Sequence, residues 1–174
     1  MKRLIIVAFL ALPILASAQS NFDKYENMNG VSSMVMTSKI FKLLSKIDFD
    51  SKDAETQQYI DLVENIENIK VFATEKEDIG KKMKADVEQY LKSATLDELM
   101  RVNSEGKNIR FYSKPGKNDD YVSELFMFLE GVEDDGPKTI VLRIKGNIDL
   151  KQVSKLADDL NIPGGKELKK VKKS

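Results

Sequence analysis

The stretch YVSELFMFLEGVEDDGPKTIVLRIK, residues 121–145, decides the fold. Its two ends are strand-like, because Tyr121–Glu130 and Lys138–Lys145 are rich in aromatic and β-branched residues. Between them GVEDDGP is short, acidic and marked by Gly and Pro, the chemistry of a hairpin turn. A parallel crossover needs about a dozen residues or more, so the two strands must run antiparallel. Leu125–Leu129 is apolar at every position, as in a strand covered on both faces. In the second run, Ile140, Leu142 and Ile144 alternate with Val141, Arg143 and Lys145. That alternation predicts one apolar face.

Upstream lie two more strand-like runs, Glu98–Asn103 and Asn108–Ser113, with SEGK between them and KPGKNDD leading on to Tyr121. These separators are also short, polar and turn-forming, so the C-terminal half is expected to form a four-strand antiparallel meander. Downstream, Gly146-Asn147 reads as the end of the last strand. Asp149 then reads as a helix N-cap, with Gln152 in the capping-box position. Leu150, Val153, Ala157 and Leu160 make one helical face that can pack on the sheet. An anion site at this helix start is disfavoured, because Asp149 would occupy the free N–H groups and repel an anion. Residues 163–174, PGGKELKKVKKS, read as a flexible basic tail.

The N-terminal half has a different rhythm. FDKYEN, residues 22–27, looks like a short helical turn, and Val31–Thr37 fits a strand. Ser38 can cap a helix whose apolar face would be Ile40, Leu43, Leu44 and Ile47. After the polar break DFDSKD comes a second helical pattern, Tyr59, Leu62, Val63 and Ile66. Ile69–Thr74 is strand-like. Thr74 and Glu77 have the spacing of a capping box for a long helix that would bury Ile79, Met83, Val87, Tyr90 and Leu91. The expectation is one α+β domain over residues 22–162, an antiparallel sheet with its helices packed mainly on one face.

The first residues are MKRLIIVAFLALPILASAQS. Lys2 and Arg3 form a positive region, Leu4–Leu15 an apolar core broken only by Pro13, and Ala16-Ser17-Ala18 a small-residue cleavage site. The apolar run is shorter than the roughly 20 residues of a transmembrane helix. Residues 1–18 are therefore expected to be a signal peptide cut between Ala18 and Gln19. The mature chain would have no transmembrane segment and would be periplasmic or extracellular. A lipoprotein needs a cysteine at the cut, and the chain contains none, so no lipid anchor is expected. The 28 basic and 28 acidic residues cancel, and losing the leader leaves a slight acidic excess. That is not the footprint of a nucleic-acid binder.

Composition also narrows the chemistry. There is no histidine and no cysteine, which removes Ser-His-Asp and Cys-His machinery, thiolate metal sites and disulfides. Carboxylate or lysine chemistry remains. Ser104-x-x-Lys107 has the Ser/Lys spacing of penicillin-binding enzymes, but Gly106 places it in a hairpin turn rather than a helix. Gly131 and Gly136 have P-loop spacing, but Pro137 stands where the lysine belongs and Glu133, Asp134 and Asp135 would repel phosphate. Asp48, Asp50 and Asp53 resemble the start of a calcium loop, yet the glycine and the bidentate glutamate of that loop are missing. Met34 and Met36 alternate on the first strand, a pattern that packs a core more often than it binds copper. No catalytic, cofactor-binding or metal-binding residue is assigned, and no cofactor is expected.

The order of these segments is familiar. FDKYEN, GVSSMVMTSKIFKLLSKI, IKVFAT, a long helix, LDELMRVNSEGKNIRFYSK and a closing VLRIKGNIDLKQVSKLA together resemble a family of small exported bacterial proteins, domain of unknown function 4252. The resemblance covers nearly all of the mature chain, with G-x-I-D-L before the last helix as its most specific mark. It implies an exported α+β domain and brings no activity, ligand or site residue. The sequence thus favours a non-catalytic cell-envelope protein whose partner is another envelope protein, recruited at an open sheet edge. The alternatives are a binder of a small apolar ligand between helices and sheet, and a hydrolase using carboxylates or lysine.

Overall fold

The computed structural model describes residues 22–44, 60–61, 63–104, 106–131 and 139–149. A 3-10 turn at Asp23–Tyr25 precedes strand β1 (Ser32–Thr37) and the short helix α1 (Ser38–Leu44). Strand β2 (Ile66–Thr74) leads to the long helix α2 (Glu77–Ser93). Strands β3 (Asp97–Ser104), β4 (Lys107–Pro115), β5 (Tyr121–Gly131) and β6 (Thr139–Asp149) complete the described chain. The strands form one sheet in the order β1-β2-β6-β5-β4-β3, and every neighbouring pair is antiparallel. This sheet with two helices fits the α+β class.

Two adjacent rungs show how the faces divide. Met34, Val71, Leu142, Met127, Phe111 and Met100 stand opposite one another across all six strands. They belong to the first face, an aliphatic core that also holds Ile69, Ile140, Ile144 and Leu129. The next rung is Val35, Lys70, Arg143, Phe126, Tyr112 and Glu98. It lies on the second face, where an aromatic core gathers Phe22, Tyr25, Phe72, Phe126 and Phe128 against Ile79, Met83 and Val87 of α2. Both faces are therefore buried at the sheet centre, and Leu125–Leu129 is buried at every position, as its composition predicts.

The helices depart from expectation. Helix α2 covers the second face, whereas Phe41 of α1 enters the core of the first. The two described helices thus lie on opposite faces. On α1 the buried residue is Phe41, and Ile40 and Leu43 point outward. A seven-residue helix continuing directly from a strand takes its rotation from the strand's exit, so its own apolar spacing does not decide which side is buried. Leu44's side chain and Ile47 lie outside the described residues. Val63 is helical and buried, but Ile66 already belongs to β2.

Two boundaries also move. Thr74 does not cap α2: the N-cap is Lys76, which makes no capping bond with its side chain. The Thr74 hydroxyl instead donates to the Gly30 carbonyl at 2.7 Å and accepts the Lys76 N–H at 3.1 Å, tying the N-terminal segment to the end of β2. At the other end of the sheet, Gly146-Asn147 is no strand end, because β6 runs on to Asp149 opposite Tyr121. Register shifts in both neighbouring ladders put a bulge there. Gly and Asn suit a bulge as well as a turn, so composition alone does not separate the two. Asp149 is the last strand residue, and the helix expected after it lies outside the described residues.

Candidate functional site

The second face holds the main polar cluster. Arg143 and Glu124 are 5% and 3% exposed, although both are charged. The Arg143 guanidinium donates to both Glu124 oxygens, at 2.9 and 3.1 Å, and to the Tyr90 hydroxyl at 2.9 Å. Tyr90, on α2, in turn donates to Glu124. Phe22 and Phe126 pack against the Tyr90 ring at 5.5 and 5.3 Å and keep water out. Burial alone would lower the Arg143 pKa, but its bonds to Glu124 and Tyr90 outweigh that and raise it. Burial, and then the bond to Glu124, push the Tyr90 phenol up. Among the described residues no buried side-chain polar atom lacks a partner. The three members are bonded to one another, so the triad pins α2 to the sheet.

A second set of bonds straps the N-terminal segment beside α2. The Tyr25 hydroxyl donates to Asp86, which also pairs with Lys24 at 2.6 Å. Lys70 reaches Asp23 at 2.7 Å and Glu26 at 2.6 Å. Burial would lower the Lys70 ammonium, yet these two carboxylates hold it above the usual lysine value. Burial, and then the hydrogen bond to Asp86, push the Tyr25 phenol well above its ordinary range. These groups hold an otherwise irregular segment over the aromatic core, and they too are occupied.

The exposed apolar surface of the described residues gathers at the β1 edge of the sheet. Among the described residues, the large apolar side chains left exposed are Met34 (46%), Val35 (41%), Ile40 (40%) and Leu43 (60%). All four come from β1 and α1. Strand β1, SSMVMT, carries no charge and keeps an unbroken register with β2, and among the described strands none pairs with its outer side, where alternate backbone N–H and C=O groups point away from the sheet. The opposite edge, β3, carries Asp97, Glu98 and Arg101 and has a register shift between Glu98 and Met100. Charge and bulging are the usual protections of an edge strand, and β1 has neither. Beside the start of β1 lies an open cleft of about 430 Å3, lined by Gly30, Val31, Ser32, Thr74, Glu75 and Lys76 among others. It sits at the sheet margin and is not an apolar cavity between helices and sheet.

A family model described as a domain of unknown function, DUF4252, matches residues 25–156. The chain belongs to the DUF4252 family. No curated protein and no solved structure matches it. Among the described elements, the family match takes in the six strands and helices α1 and α2 of this DUF4252 domain, and with them the buried triad and the β1 edge.

The motifs singled out from sequence scatter over this domain. Ser104 and Lys107 are the closing pair of the β3–β4 hairpin, with Gly106 at φ +78° between them. Gly131 ends β5, while Gly136 lies outside the described residues, as do Asp48, Asp50, Asp53, Ala18 and Gln19. Met36 packs against the first-face core, and its neighbour in the pattern, Met34, is half exposed. Among the described residues no three acidic groups cluster closely enough to hold a metal ion, and no helix is long and apolar enough to cross a membrane. Sequence reasoning missed the Arg143–Glu124 pair. Its signal was a single charge set within an apolar run in each strand, Glu124 before Leu125–Leu129 and Arg143 between Leu142 and Ile144, with opposite signs.

Proposed function

We propose that the protein is an exported, non-catalytic binding domain of the cell envelope that recruits a polypeptide along β1. The observation that carries this reading is the concentration of exposed apolar side chains, Met34, Val35, Ile40 and Leu43, on an uncharged, unbulged edge strand and the helix beside it. An extended segment laid along β1 would satisfy the free backbone groups and cover apolar surface on both sides of the strand. The leader at residues 1–18, with its cut between Ala18 and Gln19, supports export.

The test is a photo-reactive residue placed at position 35 or, as a control, at position 101 on the charged edge, with irradiation in the source cells. Crosslinks to a polypeptide from position 35 and not from position 101 are expected. Equal yields from both positions, or none from position 35, reject the reading.

A further inference from the structure

We infer that the segment recruited along β1 is β1 of a second copy, paired antiparallel about a two-fold axis at Val35. This deepens the reading of β1 as a recruiting edge and rests on it. The centre of β1 reads Ser33-Met34-Val35-Met36-Thr37. Read outward from Val35, it is the same in both directions by chemistry: a methionine on each side, then a hydroxyl residue on each side. A two-fold antiparallel pair sets each residue against its mirror position, so self-pairing is where such symmetry has a use. Val35 would oppose Val35 of the second copy, Met34 would oppose Met36, and Ser33 would oppose Thr37.

The faces agree with this register. Met34 and Met36 both belong to the first face, with Val35 on the second beside Lys70. In the paired sheet two Met–Met contacts therefore continue the aliphatic core across the junction. Val35 meets its own copy on the other side. No pair in the register brings like charges together, since β1 has no charge at all. Pairing β3 with itself would instead set Asp97, Glu98 and Arg101 against residues of the same strand, across a broken register. Ile40 and Leu43 flank the same edge and extend the apolar surface.

Position 35 also allows a clean test. Its cross-strand neighbour Lys70 is surrounded by Asp23 and Glu26, so a charge of either sign at this half-exposed site finds an opposite one within the same copy. Across the two-fold axis, however, any charge meets itself. The purified chain should show a dimer mass by light scattering, and deuterium uptake at the β1 amides should fall as concentration rises. Val35→Glu and Val35→Lys should each weaken the dimer at least about tenfold while keeping the β2–β6 amides protected. An equimolar mixture of the two variants should restore a dimer, because Glu then faces Lys.

A dimer that survives both single variants, or a mixture that stays monomeric, overturns the proposal. A chain that stays monomeric at millimolar concentration, while position 35 crosslinks to another polypeptide in cells, overturns self-pairing and leaves the recruiting edge standing. Dimerisation that protects β3 instead of β1 overturns both.

Discussion

Arg143 and Glu124 set the energetics at the scale of single residues. A buried, bidentate ion pair adds little over well-packed apolar side chains, yet losing one partner strands the other charge. Arg143→Ala is therefore expected to cost about 3–5 kcal/mol in urea unfolding. Arg143→Asp should be worse, because it sets a second acid beside Glu124. The combined change Arg143→Met, Glu124→Leu and Tyr90→Phe should recover most of the loss, and a triple variant no more stable than Arg143→Ala would show that the charges themselves are needed. Leu142→Asp, on the first face of the same strand, should unfold the domain by leaving a charge without a partner. Glycines give a second contrast. Gly146 has φ +152°, and a Cβ there would lie 2.2 Å from the Asn65 carbonyl oxygen. Gly106 has φ +78° with open space around it. Thermal melts should show Gly146→Ala losing more than about 2 kcal/mol and Gly106→Ala only about 1 kcal/mol. Equal losses would mean that the backbone at Gly146 relaxes away from Asn65.

Among the elements, α2 carries an opening for stabilisation. Its apolar residues Ile79, Met83 and Val87 anchor it firmly, and Glu77 and Asp78 suit the positive end of the helix. Its N-cap, Lys76, has the extended backbone that a cap requires but no side-chain oxygen to offer. Lys76→Ser should raise stability by about 0.5–1 kcal/mol, measured by chemical denaturation. A neutral or negative result would mean that the Thr74 hydroxyl already serves this turn through the Lys76 N–H. The same element scale explains why Ile40 and Leu43 are exposed. Helix α1 is too short to choose its own rotation, and β1 hands it to the first face with Phe41 inward.

At the scale of the whole molecule, the groups that strap the second face point one way. Tyr25, Tyr90 and Lys70 all hold their protons more tightly when folded. The unfolded chain releases those protons first as pH rises, near pH 10 for tyrosine. Their stabilising contribution is thus fully present below about pH 10 and is lost above it. With no histidine in the chain, melting temperature should be nearly flat from about pH 6 to 9 and then fall. Tyr25→Phe should start lower at pH 8 and decline less steeply, and an unchanged slope would exclude Tyr25 as a source of the alkaline loss.

The antiparallel sense of β3 to β6, the long helix and its buried face were legible because each rests on short-range pattern: connection length and periodicity. The separator at 132–137 lies outside the described residues. The symmetry of Ser33–Thr37 was in the sequence as well, but it gained meaning only once β1 proved to be an edge. Strand order placed β2 beside β6 and left β1 outermost among the described strands. It also brought Arg143 under α2, where a residue that alternation alone assigns to the polar side became part of the core. Periodicity says which residues share a face. What covers that face, and which strand is left without a neighbour, depends on contacts between residues far apart in the chain, and those only the tertiary structure decided.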